Sequence, residues 1–230
     1  MKDVRHIFFD LDHTLWDFEK NSSEAITELF DQFDLHKKIK SLPDFLEEYQ
    51  KVNAVYWHRY NKGEIDKQTV RYGRFFDIFS NYKIEDYKDL AVKFADEYLI
   101  IAPTKKNIFP FTHDVLTYLK LKYRLHIITN GFKEVQTIKM STTNLNEYFD
   151  VIICSEDVGV NKPNPKIFYE ALKKSGSSIS ESLMIGDTYE ADILGAQNIG
   201  MKTIHFNPKK EPKKTESIEI HCLSELKRLL

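Results

Sequence analysis

The sequence predicts an α/β fold: a doubly wound parallel sheet interrupted near its start by an all-helical insertion. Short apolar runs separated by helical periodicity recur about every thirty residues in the C-terminal half, the signature of right-handed βαβ units. One further apolar run stands at the N-terminus, and residues 18–102 between them carry helical periodicity without a convincing strand.

The first strand is read at residues 4–9, Val4-Arg5-His6-Ile7-Phe8-Phe9. A helix follows a Ser22-Ser23-Glu24 start, with Ile26, Leu29, Phe30 and Phe33 on one stripe. Leu42, Phe45, Leu46, Tyr49, Val52 and Tyr56 form a second stripe, with Ser41 as N-cap, Pro43 in the first turn and Gly63 as C-cap. A third helix begins at Asp66 and carries Val70, Phe75, Phe76 and Phe79. A fourth carries Tyr87, Leu90, Ala91, Phe94 and Tyr98 and ends before Pro103. Beyond Pro110, a helix capped by Thr112 runs through Tyr123. The strands Leu125–Ile128, Val151–Cys154, Ser182–Ile185 and Thr203–Phe206 then alternate with helices from Lys133 to Met140, over 165–174 and over 190–198. The expected division is a core of 1–17 with 103–230 and an insertion of 18–102. Residues 207–217 read as a charged, solvated connector.

Bulk properties narrow the classes of function. The chain has 230 residues, 33 Lys plus Arg and 35 Asp plus Glu, for a net charge of −2. That balance gives no reason to expect a nucleic-acid polymer or an anionic membrane as partner. No run is long enough to span a bilayer and no signal-peptide pattern opens the chain, so a cytoplasmic protein is expected, as monomer or homodimer. Cys154 and Cys222, the two cysteines, are read as reduced buried thiols. Histidine spacing lacks the HxxxH or HExxH of a zinc site, and GxSxG, GxxxxGK[ST] and GxGxxG are all missing.

Chemistry-bearing residues gather at the expected strand ends, where ligands bind in sheets of this kind. Asp10 and Asp12 follow Ile7-Phe8-Phe9; Thr129-Asn130-Gly131 follows Ile127-Ile128; Gly186-Asp187 follows Met184-Ile185, with Asp192 five residues on; Lys162-Pro163 ends a loop. Two acids as close as Asp10 and Asp12 read either as a divalent-metal site or as an acid/base couple. The set meets the requirements of phosphate-ester cleavage. One carboxylate, Asp10, can attack phosphorus, and Mg²⁺ can offset the repulsion between them, held by the Asp10 and Asp187 carboxylates and the Asp12 backbone oxygen. Asp12 can protonate the leaving group. Thr129 and Asn130 can hold phosphoryl oxygens, while Lys162 offers charge to the phosphate and the nucleophile. Asp192 is read as orienting Lys162 or a metal-bound water.

In this order the four clusters resemble the haloacid dehalogenase-like (HAD) superfamily, whose motifs stand here as Phe8-Phe9-Asp10-Leu11-Asp12-His13-Thr14, Ile128-Thr129-Asn130-Gly131, Lys162-Pro163 and Gly186-Asp187 through Asp192. The resemblance implies a Rossmann-like core with a helical cap inserted over residues 18–102, and an Mg²⁺-dependent hydrolase of small phosphomonoesters working through an aspartyl phosphate. Phe9-Asp10-Leu11-Asp12-His13-Thr14-Leu15-Trp16-Asp17-Phe18, the Thr-Asn-Gly tripeptide and the all-helical insertion look like the branch containing pyrimidine 5′-nucleotidases. Sugar-phosphate or phosphoglycolate-type phosphatases and phosphomutases share the same core residues. A haloacid dehalogenase has no need of Asp12 or Asp187, and a catalytically idle binding protein predicts a damaged site. His13, where the family has a small or amide residue, is read either as a substrate contact or as a turn-stabilising group. His58, Arg59 and Arg71, in an aromatic and basic stretch, are candidates for substrate selection, weighed against core packing with arginines outside.

Overall fold

The computed structural model describes residues 1, 3–85, 87–212 and 217–230. Part of the expected connector, 213–216, lies outside them. Six strands form one parallel sheet: β1 (His6–Phe9), β2 (Arg124–Thr129), β3 (Val151–Cys154), β4 (Ser182–Gly186), β5 (Lys202–Phe206) and β6 (Ile218–Ile220). Their order is β3-β2-β1-β4-β5-β6, the doubly wound arrangement predicted from the spacing of apolar runs. Five of the strands match apolar runs in the sequence. The three-residue β6 is too short to show a period of its own and exists by pairing with β5.

The central strands β1 and β4 are buried on both faces, so they read as continuous apolar runs rather than alternating ones. Ile7, Phe9, Ile127, Ile185 and Ile204 point to one face, where Val115, Leu116 and Leu119 of α5 (Thr112–Lys120) and the C-terminal Leu226 join them. Phe8, Ile128, Ile153 and Met184 point to the other, against Ile167, Phe168 and Ala171 of α7 (Pro165–Ser175). Thr112 is not the cap of α5. Phe111 holds that position in the left-handed region at φ 68°, and the Thr112 hydroxyl donates instead to the Phe109 carbonyl.

By internal packing the chain divides into two compact units, Met1–Phe18 with Lys106–Leu230, and Glu19–Lys105. The second unit is helical: α1 (Phe18–Gln32), α2 (Leu42–Asn61), α3 (Arg74–Asn81) and α4 (Tyr87–Ile101). The first of these starts a turn earlier than its Ser-Ser-Glu signal. Ser41 caps α2, its hydroxyl accepting the Asp44 N–H, as the sequence indicates. The third expected helix begins as read, with the Asp66 carboxylate accepting the Thr69 N–H, and runs through a π-turn at Thr69–Gly73 into α3. Phe45, Phe75, Phe79 and Phe94 fill the core of this unit, ring against ring.

Cys154 is a buried free thiol, while Cys222 is only half-buried, short of the full burial expected. No helix among the described residues is long and apolar enough to cross a membrane.

Candidate active site

The winding reverses beside β1, which has β2 on one side and β4 on the other, and ligands in such sheets bind where the order reverses. Phe9 is level with Ile127 and Ile185, so β1 and β4 end together, and the Asp10 N–H donates to the Ile185 carbonyl at 2.9 Å. Strand alternation puts Asp10 on the face of Phe8, toward α7 and Lys162.

Lys162 is 2% exposed. Its Nζ donates to Asp10 Oδ1 at 2.5 Å, Asp192 Oδ1 at 2.6 Å and the Ile128 carbonyl at 2.7 Å, which satisfies all three of its protons. The backbone that carries it is held by Asn130, whose Oδ1 accepts the Lys162 N–H and whose Nδ2 donates to the Lys162 carbonyl. Asp192 is equally engaged, because its Oδ2 accepts the Thr188 N–H at 3.0 Å. It sits in a π-turn, Tyr189–Leu194, with its carboxylate packed against Gly186. A Cβ on residue 186 would lie 2.3 Å from Asp192 Oδ2, so only glycine fits there.

Asp187 completes an acidic group. Asp10, Asp187 and Asp192 each offer a carboxylate oxygen within 4.8 Å of the others. Thr14 ties the β1 and β4 ends together, donating to Asp187 Oδ1 at 3.2 Å and accepting the Asp187 N–H at 3.1 Å. From the far side His205 on β5 meets the Asp187 carbonyl at 2.8 Å and faces Glu219 on β6 at 3.3 Å. Burial pushes Asp10 up to about 7 despite Lys162, with the neighbouring carboxylates adding to the shift. Burial likewise pushes Asp187 up to about 6 and raises Asp192. Three carboxylates share one lysine, so the fully ionised cluster would carry two negative charges in excess, and the raised values express that strain.

Asp12 faces another way. The turn from Leu11 to Trp16 carries it toward α6 (Lys133–Thr142), where Lys139 Nζ donates to Oδ1 at 2.5 Å and Gln136 Nε2 to Oδ2 at 2.7 Å. Burial alone would raise its pKa, but Lys139 and Gln136 together hold it below the usual carboxylate range. Lys139 is itself buried, its ammonium 4.2 Å from the centre of the Trp16 ring. Gln136 Nε2 also donates to Thr129 Oγ1 at 2.8 Å, and the Gly131 N–H reaches the same oxygen at 3.1 Å.

His13 occupies the left-handed region at φ 63° with its ring tilted against Phe18 at 4.8 Å between centroids, close enough to Asp12 and Asp187 to act on both electrostatically. His58, Arg59 and Arg71 belong to the helical unit. His58 and Arg59 are exposed on α2, Arg59 lying 3.7 Å from Glu64, while Arg71 bonds Asp96 at 2.6 Å.

The sequence reasoning passed over Thr14 as a site residue, and over Gln136, Lys139 and His205. Gln136 and Lys139 stand three apart on the helix after Thr129-Asn130-Gly131, so one helical face carries both. That spacing was a usable signal. His205 had none, because only the β4–β5 register, which pairs it with Gly186, brings it to Asp187.

A family model for haloacid dehalogenase-like hydrolases matches residues 4–200. Over 202 residues the chain is 35% identical to pyrimidine 5′-nucleotidase YjjG of Escherichia coli (strain K12), covering 87% of this chain and 85% of that protein. Pyrimidine 5′-nucleotidase PynA of Streptococcus pneumoniae is 31% identical over 207 residues, covering 89% and 84%. The crystal structure of the HAD-hydrolase YfnB from Bacillus subtilis bound to magnesium superposes with a TM-score of 0.89 at 27% identity, over 99% of this chain and 98% of that one.

Proposed function

The chain belongs to the haloacid dehalogenase-like hydrolase family, and on that premise we propose that it is a Mg²⁺-dependent phosphatase of pyrimidine nucleoside 5′-monophosphates. The observation that carries the reaction class is the Asp10 carboxylate at the switch point, with Lys162 on one oxygen and Asp187 and Asp192 beside it.

The donor set fits a hard divalent cation: every candidate ligand atom is an oxygen, and once ionised the cluster has two negative charges that Lys162 does not offset. Asp192 is held at 2.6 Å by the Lys162 ammonium and at 3.0 Å by the Thr188 N–H. The Asp187 carboxylate instead meets hydroxyls at 3.2 and 3.4 Å and Asp10 Oδ2 one at 3.5 Å, so Asp10 and Asp187 are the freer ligands, with the Asp12 backbone oxygen as a third. Bound there, Mg²⁺ supplies the positive charge that lets an anionic phosphate approach an anionic nucleophile. A haloacid dehalogenase would use Asp10 as its nucleophile but has no need of Asp12, Asp187 or a metal, so their presence favours phosphate chemistry within the family.

In the first step an Asp10 oxygen bonds to phosphorus, the ester P–O bond breaks, and the leaving oxygen takes a proton from Asp12. Asp12 is held ionised by Lys139 and Gln136, so it must exchange the Lys139 bond for a proton before it can act as the acid. In the second step water attacks phosphorus, gives its proton to Asp12, and the bond to Asp10 breaks. Lys162 stabilises charge on Asp10 throughout, and the Thr129 hydroxyl donates to a phosphoryl oxygen. On this reading 18–102 is the family's cap, and His13, His58, Arg59 and Arg71 are candidates for selecting the substrate.

The substrate class rests on the two pyrimidine 5′-nucleotidases among the relatives. The test is kcat/KM over a phosphomonoester panel with Mg²⁺. UMP and dTMP should rank above sugar phosphates, and the reverse order would refute the nucleotidase assignment.

A further inference from the structure

Thr129 is read above as a phosphate ligand, but a hydroxyl can accept as readily as it can donate, so something must set which it does. A hydroxyl has one proton and two lone pairs. At Thr129 both lone pairs face donors: the Gly131 N–H at 3.1 Å and Gln136 Nε2 at 2.8 Å. The residue is 1% exposed, and among the described residues no acceptor receives its proton.

The identity of the Gln136 atom follows from its other contact. The same nitrogen lies 2.7 Å from Asp12 Oδ2. An amide oxygen in that place would face a carboxylate across a hydrogen-bonding distance, so Nε2 is the atom that must stand there. This orientation leaves Gln136 Oε1 buried without a hydrogen-bond partner among the described residues, a cost the fold bears to keep the NH₂ group between Asp12 and Thr129. Gly131 makes the arrangement possible, because a Cβ on it would lie 2.1 Å from Gln136 Nε2.

We infer that Gln136 is a positioning residue that fills the second lone pair of Thr129, so that the threonine proton is reserved for a phosphoryl oxygen. The inference rests on the phosphatase reading and deepens it. A donor held in place before the substrate arrives needs no reorganisation when charge moves onto the phosphoryl group. It also gives the Thr-Asn-Gly tripeptide a division of labour: Thr129 donates to the ligand, Asn130 holds Lys162, and Gly131 leaves room for Gln136.

Orthovanadate binding to the full chain with Mg²⁺, followed by calorimetry, tests it without turnover. Gln136→Met, of similar volume, should weaken vanadate binding about tenfold, as for loss of one oriented hydrogen bond to a charged group. Gly131→Ala, which displaces Gln136 without altering it, should do the same. Thr129→Val should weaken binding by at least as much, and adding Gln136→Met to it should cost less than about twofold more, since a shared pathway makes the effects non-additive. Multiplying effects in the double variant, or full affinity in Gln136→Met, overturns the inference and leaves the phosphatase reading standing. A wild-type chain that binds no vanadate and hydrolyses no phosphomonoester overturns both.

Discussion

Asn130 holds Lys162 by both ends of its side-chain amide: Nδ2 donates to the Lys162 carbonyl at 3.0 Å and Oδ1 accepts the Lys162 N–H at 2.8 Å. The end of β2 thereby fixes a loop that arrives thirty-two residues later, and with it the buried ammonium against Asp10. Asn130→Ala strands a buried N–H and a buried C=O. It is expected to lower stability by about 2–4 kcal/mol in urea unfolding and kcat by more than tenfold. Unchanged values in both measurements would mean that the loop holds itself.

Lys162→Met removes the cation from between Asp10 and Asp192, which are then left as buried carboxylates without a counter-charge. The expected loss is about 3–5 kcal/mol in EDTA. Mg²⁺ should recover part of the melting temperature but not the turnover.

Asp10→Asn is expected to abolish phosphatase turnover while keeping the fold, since the amide still accepts from Lys162 but is no nucleophile. Circular dichroism should match wild type. Residual turnover near the wild-type rate would exclude Asp10 as the attacking group.

Asp10 and Asp187, pushed up to about 7 and about 6 from 3.8, make the metal-free fold pH-sensitive in one direction. Raised carboxyl values mean that the folded chain keeps protons the unfolded chain has lost, so their stabilising contribution is full below 3.8 and disappears as pH rises through 6 to 7. Mg²⁺ requires the ionised forms. The gain in melting temperature on adding Mg²⁺ should therefore grow between pH 5 and pH 8, and a gain independent of pH would count against these ligands.

His126 works in the opposite sense. It lies fully buried on β2, 2.9 Å from His6 Nδ1 and against the Phe8 ring, and burial lowers it from 6.5 to about 4. The unfolded chain takes up this proton first, so stability is complete above 6.5 and falls as pH drops toward 4, by on the order of 3 kcal/mol. His126→Phe should flatten that part of the acid-unfolding curve measured with Mg²⁺ present.

Sequence alone determined five of the six strands and the positions of the acids at their ends. Apolar runs at regular spacing commit the chain to a buried parallel sheet, and Asp10, Thr129 and Asp187 stand at strand ends because each follows directly on such a run. Tertiary structure decided how those groups are divided. Asp10 and Asp12 are two residues apart, yet one meets Lys162 and the other Lys139, because the chain turns after Leu11 and presents the second acid to α6. Gln136 beneath Thr129, and His205 behind Asp187, depend on helix docking and strand register, relations between residues distant in sequence. Local pattern records which residues are buried or polar. It does not record which polar groups become partners once packing has excluded water and left each buried donor needing an acceptor.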